Sequence, residues 1–295
     1  MDPRRLEMLL ELSRLGSMRE VADQLGVTTS TVSQQLAALG REVRATLLEP
    51  DGRRVRLTPA GRRLAGHAVT ILAAVEAARA DLDPEADPHG QVRVASFASA
   101  ARRHLIPMVS RLADVASGVT LLIYEHEPVE ALDLLARDGV DLAIVYDYNL
   151  APRRLPASVR SRPLDRIRWG LGVPAGTDST GSAREIFDRL RDEDWIVNSR
   201  NTADDEAIHA VAALAGFTPR VTHRSDSLEL VQDMIAEGLG VGMLPEAMPT
   251  RPGVEIATLA DPEVELRSFA LTRGGREQWP PMAVVLRLLE EATGQ

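Results

Sequence analysis

Near residue 90 the apolar residues stop recurring at helical spacing and begin to fall in short β-branched runs, so the chain has to fold as two unlike parts. Between them lies Asp83-Pro84-Glu85-Ala86-Asp87-Pro88-His89-Gly90, whose Pro, Asp and Gly content marks a linker. A length of 295 residues exceeds what one ordinary core sustains, which agrees with several compact units.

In the first part, Leu6, Leu9, Leu10 and Leu12 give a short helix ending near Gly16. Ser17 and Glu20 form a capping box for a second helix, with Val21, Ala22 and Leu25 as its apolar stripe and Gly26 as its stop. Thr28 caps a third, whose buried face is Val32, Leu36, Leu39 and Val43. Two helices joined through a glycine turn make a helix-turn-helix. The outward face of the third helix carries Thr28, Thr29, Ser30, Thr31, Ser33, Gln34 and Gln35. Hydroxyls and amides bond to base edges and phosphates, and the N-terminal half of this helix enters the major groove in such motifs. The same residues would equally cap a solvated surface helix.

The next segment favours the groove. Pro50-Asp51-Gly52 is a turn signal, and Arg53, Arg54 and Arg56 are interspersed with Val55 and Leu57, which reads as a hairpin with arginines on its exposed face. Such a wing would contact the DNA backbone or a narrow minor groove beside the helix. Residues 1–58 therefore read as an α+β winged helix-turn-helix that binds double-stranded DNA. The net charge of −9 argues against nucleic acid only as an average. Residues 1–66 hold 11 Arg against 8 acids, whereas 67–295 hold 23 Arg against 35, so the basic part is the reader.

Thr58-Pro59 opens a further helix, with an N-cap threonine and a proline where a missing N–H is harmless. Leu64, Ala68, Ile71, Val75, Ala78 and Leu82 recur along it at alternating spacings of four and three, a seam that packs on another helix. That helix belongs either to a second copy, making 59–83 a dimerisation helix, or to the chain's own body. Residues 84–90 are then a hinge.

From residue 91 strands alternate with helices, the signature of an α/β sheet. Segments 91–97, 119–125 and 141–146 read as strands, with helices near 99–115 and 128–138. A second set has strands at 167–173, 195–198, 220–223 and 242–244, with helices near 182–191, 203–215 and 226–237. The strand at 266–272 and a helix at 281–291 return to the first set. The expectation is a two-lobed effector domain over 91–295, lobe I being 91–163 with 267–295 and lobe II being 164–266. Open α/β sheets bind ligands beyond the carboxyl ends of their strands. Three polar junctions lie there, around Ser96, Phe97 and Ser99, around Asn198, Arg200, Asn201 and Thr202, and around Ser225 and Asp226. If they converge they would favour a small anion or zwitterion, with Arg200 as carboxylate partner, while Asp147 hints at an amine or hydroxyl on the ligand. Each is also simply a good N-cap.

The stretch from Ser17 through Thr28 and on to Arg54-Val55-Arg56-Leu57-Thr58-Pro59-Ala60-Gly61 resembles the DNA-binding domain of LysR-type transcriptional regulators. Leu134-Leu135-Ala136-Arg137-Asp138-Gly139-Val140-Asp141-Leu142-Ala143-Ile144-Val145 and the segment from Ile235 to Pro245 are similar to the same family, so the resemblance spans the chain. It implies a homodimer or tetramer on an inverted-repeat operator. It also implies a periplasmic-binding-protein-like domain that senses an effector such as an amino acid or organic acid, with RNA polymerase as a further candidate partner.

With no cysteine, thiolate metal sites, disulfides and cysteine nucleophiles are excluded. The histidines show no metal-ligand spacing, the glycine-rich run at 238–242 follows a helix rather than a strand, and no catalytic constellation is evident, so neither metal, cofactor nor enzymatic activity is expected. No apolar run is long enough for a membrane span and the N-terminus lacks a signal peptide's apolar core, so the expected location is the cytoplasm. The rival reading is a two-lobed binding protein or enzyme that uses its helix-turn-helix only for assembly.

Overall fold

The computed structural model describes residues 1–52, 54–83 and 87–294. Helix α1 (Pro3–Leu15) is capped by Asp2, which accepts from the Arg4 N–H, and stops at Gly16 with φ +68°. Ser17 caps α2 (Met18–Leu25), and Gly26 ends it in the same left-handed conformation, where a glycine meets no Cβ clash. Thr28 caps α3 (Thr29–Glu42) by accepting from the Thr31 N–H. Leu6, Leu9, Val21, Val32, Leu36 and Leu39 close a core in which none is more than 1% exposed. Strands β1 (Leu48–Asp51) and β2 (Arg54–Leu57) pair antiparallel as the wing, Leu48 opposite Leu57.

Thr58 starts α4 (Pro59–Leu82), accepting from the Gly61 N–H and donating to the Thr46 carbonyl. The stripe that α4 buries in its own chain is Gly61, Ala65, Ala68, Val69 and Ala73, largely against α1. The predicted seam therefore lies to one side. Ala68 is buried, Leu64, Ile71 and Val75 are half-buried, and Ala78 and Leu82 are exposed, Leu82 at 85%.

The second part runs β3 (Gly90–Ser96), α5 (Ala98–Ala100), a π-helical turn (Ala101–Leu105), α6 (Ile106–Val115), β4 (Val119–Glu125), α7 (Pro128–Ala136) and β5 (Leu142–Tyr148). It continues through β6 (Val159–Pro174), α8 (Ala183–Arg189), β7 (Asp194–Val197), α9 (Ala203–Ala215), β8 (Arg220–Arg224), α10 (Leu228–Ala236), β9 (Val241–Pro245) and β10 (Val254–Ala257). It closes with β11 (Val264–Arg273), a 3-10 turn (Arg276–Gln278) and α11 (Pro280–Thr293).

The sheet order is β4-β3-β5-β11-β6-β9-β7-β8, with β10 on β6. Strands β4, β3 and β5 are parallel in one lobe, and β9, β7 and β8 are parallel in the other. Strands β6 and β11 run antiparallel through both, from Val264 opposite Trp169 to Arg273 opposite Val159, with a register slip between Arg267 and Phe269. This is the two-lobed α/β architecture expected, crossed twice by the chain. The main differences from the sequence reading are that β5 runs to Tyr148 rather than 146, β6 begins at Val159 rather than 167, β10 and the 3-10 turn at Arg276–Gln278 are additional, and the helix after β3 is broken by the π turn.

The reader docks on the first lobe through charge. Arg14 Nε donates to Asp138 Oδ2 at 2.5 Å, and Arg273 donates to the other oxygen of the same carboxylate. Nearby, Asp141 accepts from Arg93 Nε at 2.9 Å and from Arg276 Nη2 at 2.7 Å. Burial alone would raise the Asp141 carboxyl, but its bonds and charge pairing with Arg93 and Arg276 pull it down to about 2. From α4, Thr70 Oγ1 donates to the Gly274 carbonyl at 2.8 Å.

Candidate functional site

On the reader, Thr28, Thr29, Ser30, Ser33 and Gln34 are exposed on α3, and Thr31 and Gln35 are half-buried. Five of the predicted residues are engaged within the chain: Thr28 Oγ1 and Thr31 Oγ1 lie 2.9 Å apart, Gln34 Nε2 donates to Ser30 Oγ at 3.4 Å, and Gln35 Oε1 accepts from Arg5 Nε at 2.9 Å. That the outer face stays open follows from the inner one, where Val32, Leu36 and Leu39 fix the rotation of α3. On the wing, Arg56 is 61% exposed and pairs with Glu49 across the hairpin at 3.0 Å. Arg53 lies outside the described residues, as does the side chain of Arg54. Arg5, which steers Gln35 from α1, was not signalled by the motif.

A second site opens between the lobes, a cavity of about 350 Å³ lined by Phe97, Ala98, Ser99, Arg102, Glu125, Glu127, Tyr146, Trp169, Asn198, Arg200, Asp226, Ser227, Leu228, Glu229 and Leu266. It sits at the carboxyl ends of β3 and β4 on one side and of β7 and β8 on the other, where an open parallel sheet leaves room for a ligand. Of the predicted effector residues, Phe97, Ser99, Asn198, Arg200 and Asp226 line it together. Ser96 is fully buried, its hydroxyl bonded to the Phe97 carbonyl. Asn201 is buried and donates to Glu127 at 2.6 Å, Thr202 bonds Glu206, and Ser225 accepts from the Ser227 N–H.

Asp147 lies elsewhere. It is inside β5 rather than past its end, and side chains alternate across a strand, so Tyr146 reaches the cavity and Asp147 does not. Its carboxylate accepts from Arg267 Nε at 2.9 Å and from the Arg153 N–H at 2.8 Å beside a separate cavity of about 200 Å³.

The electrostatics also differ from those expected of an anion site. Arg200 is held by carboxylates: Asp226 at 3.1 Å, Glu125 at 3.3 Å, Glu130 at 3.7 Å and Glu127 at 3.9 Å. Burial raises Glu127 above the usual carboxylate range, and the charge of Asp226 adds to this despite bonds from Tyr146 and Asn201. Beneath them Asp204, bonded by the Tyr148 hydroxyl at 2.8 Å, is pushed up to about 7 by burial and by the charges of Glu127 and Asp226. In a chain only 3% aromatic, Phe97, Tyr146, Tyr148 and Trp169 follow one another edge to face with centroids 4.7, 6.3 and 5.5 Å apart. Sequence reasoning missed Glu125, Glu127, Tyr146 and Trp169; the one local signal was the capping box of Glu127 and Glu130 around Pro128.

No helix among the described residues is long and apolar enough to cross a membrane, and no three metal-ligating side chains among them converge on a metal site. Comparison with known proteins places both parts. Residues 3–62 match the bacterial regulatory helix-turn-helix protein model of the lysR family, and residues 85–294 match the LysR substrate binding domain. The transcriptional dual regulator GltC of Bacillus subtilis is 25% identical over 248 residues, covering 81% of each chain. The nitrogen assimilation regulatory protein nac of Escherichia coli is 27% identical over 250 residues, 84% of this chain and 79% of that protein. Among solved structures, a full-length OxyR variant from Pseudomonas aeruginosa shares the fold with a TM-score of 0.75 at 20% identity, covering 99% of this chain and 94% of that one. Full-length CbnR in complex with its target DNA does so with a TM-score of 0.53 at 20% identity, covering 99% and 100%. With one family model on the reader and the other on most of the remaining chain, the protein belongs to the LysR family of DNA-binding transcriptional regulators.

Proposed function

We propose that this regulator holds an inverted-repeat operator with the N-terminal half of α3 in the major groove and Arg53, Arg54 and Arg56 at the flanking backbone, and that a small molecule in the interlobe cavity alters that grip. The observation that carries the reading is the open face of α3, where Thr29, Ser30, Ser33 and Gln34 remain exposed while the opposite face is sealed in the core. A face meant only for packing on another chain would be apolar, as the α4 seam is, whereas this one carries hydroxyls and amides, which argues against a helix used only for assembly.

The reader is taken as 1–58, the connecting helix as 59–83, the hinge as 84–90, and the effector domain as 91–295, with lobe I as 91–163 and 267–295 and lobe II as 164–266. Self-association runs through α4, whose seam from Ile71 to Leu82 is only partly covered within one chain. A dimer or tetramer then sets two readers about one turn of DNA apart. Work at a promoter places the protein in the cytoplasm, with RNA polymerase as a further partner.

The test is fluorescence anisotropy of the full chain on duplexes from upstream of its own gene against random duplex of equal length, at physiological salt, with footprinting of the preferred fragment. A protected inverted repeat is expected. Equal affinity for every duplex refutes the reading.

A further inference from the structure

Resting on that reading of the interlobe cavity as the effector site, we infer that the ligand it takes is a small organic cation, an amine or guanidine with an apolar body, rather than an organic anion. The charge of the cavity wall decides this. Glu125, Glu127, Asp226 and Glu229 line it against two guanidiniums, Arg102 and Arg200. Both guanidiniums are already paired, Arg102 with Glu229 at 3.3 Å and Arg200 with the other three. Negative charge is left over, and among the described residues neither lining guanidinium is without a carboxylate partner.

Glu127 is where that excess is least compensated. It is only 5% exposed, its partners are the neutral Tyr146 hydroxyl (3.1 Å), the Asn201 amide (2.6 Å) and, in the α7 capping box, the Glu130 N–H, and its nearest cation is the edge of Arg200 at 3.9 Å. A buried carboxylate whose nearest cation is that distant is costly, and a ligand cation placed against it recovers that cost. Burial and the neighbouring acid hold this carboxyl above its ordinary range, as expected of a site short of positive charge.

The rest of the wall suits the same ligand. Phe97, Tyr146 and Trp169 give it aromatic surface, which attracts ammonium and guanidinium groups. Trp169 lines the cavity, is only 6% exposed, and keeps its indole N–H buried without an acceptor among the described residues. Arg200 stands where a ligand cation would stand, between the carboxylates of the two lobes. It acts as a built-in occupant with which the effector competes.

The experiment is thermal shift and calorimetry on the full chain with three organic cations (agmatine, putrescine and phenethylamine) and three anions of similar size (succinate, glutarate and phenylacetate). Saturable binding by at least one cation and by no anion is expected. Glu127→Gln should weaken the cation about tenfold or more, because it removes one partner of a buried charge pair. Glu229→Gln, on the exposed rim, should do so more weakly and covers the case in which Glu127→Gln lowers basal stability. Arg200→Gln should tighten the cation several-fold.

An anion that binds saturably and is lost in Arg200→Gln overturns the cation and leaves the cavity as the effector site. A cation whose affinity is unchanged in Glu127→Gln and Glu229→Gln binds elsewhere and overturns the assignment. Binding by none of the six refutes the inference, and if operator binding survives, the regulator reading stands apart from it.

Discussion

Arg14 of the reader and Asp138 of the first lobe pair at 2.5 Å with side-chain exposures of only 16% and 4%, so the two parts of the chain are joined by a nearly dry ion pair. Asp138 sits at φ +61°, a conformation that Asn also tolerates, so Asp138→Asn removes charge without adding backbone strain. The change leaves Arg14 and Arg273 facing each other, Arg14 with only Glu11 left as a carboxylate partner. We expect a loss of about 3 kcal/mol or more in urea titration, together with faster proteolysis at the reader junction. In a double-mutant cycle with Arg14→Gln the two losses should be strongly non-additive. Additive losses would mean the pair does not join the parts.

A Cβ on Gly61 would lie 2.2 Å from the Leu47 carbonyl oxygen, so the first turn of α4 closes on the segment before the wing only because residue 61 has no side chain. Gly61→Ala should destabilise the reader by about 1–3 kcal/mol and weaken DNA binding, while ligand binding in the cavity is kept. A circular dichroism melt and anisotropy on the preferred duplex check both. An unchanged melting temperature removes this account of the glycine.

Thr29 and Ser30 are exposed on α3, whereas Arg56 is on the wing and neutralised in part by Glu49. Thr29→Ala or Ser30→Ala should change sequence preference, by about 1–3 kcal/mol at one base step. Arg56→Ala should instead weaken all duplexes alike and lower the salt slope by about 1, and Glu49→Gln should raise non-specific affinity by freeing Arg56. Titrations at several salt concentrations on matched and mutated duplexes separate the two behaviours. Uniform losses from all four changes would contradict the division of roles.

Asp204 gives the fold a pH dependence of known sign. Its folded-state carboxyl titrates at about 7 against 3.8 for an ordinary one, so between about pH 4 and 7 the folded chain keeps a proton that the unfolded chain has released. Stability from this group is full at the acid end of that window, falls as pH rises through it, and is flat above. Tyr148, Glu127 and Asp226 are the groups that face it. Asp204→Asn should flatten the slope between about pH 4 and pH 7 and stabilise the protein at the upper end, as read by urea midpoints. An unchanged slope would show that Asp204 is ionised in the folded state.

Where local chemistry suffices, the sequence was readable. Ser17, Gly26 and Thr28 announce the turns of the reader, and the strand at 119–125 and the helix at 203–215 lie where periodicity puts them. The start of β6 was hidden because Arg160, Arg162, Pro163 and Asp165 give it no alternating pattern. It is a strand because β11 pairs with it from Val159 onward. The cavity was half legible for a similar reason. Polar caps after β3, β7 and β8 are visible locally, but Glu125, Glu127, Tyr146 and Trp169 meet there only through sheet order. Asp147 was misplaced because a strand ended at 146 makes it a loop residue, whereas β5 runs to Tyr148 and turns its side chain to the face opposite Tyr146.

Strand β11 touches both ends of the molecule's business: Leu266 lines the cavity, and Arg273 grips the carboxylate that also holds Arg14. Since it is laddered to β6 from Val264 to Arg273 but for the slip at Ser268, the lobes are coupled by a torsion bar rather than by a slack tether. On the proposed function, closure on a ligand would wring that ladder, and a displacement on the order of 1–2 Å at one end would be delivered as rotation at the other. The reader's orientation would then become a readout of sheet twist.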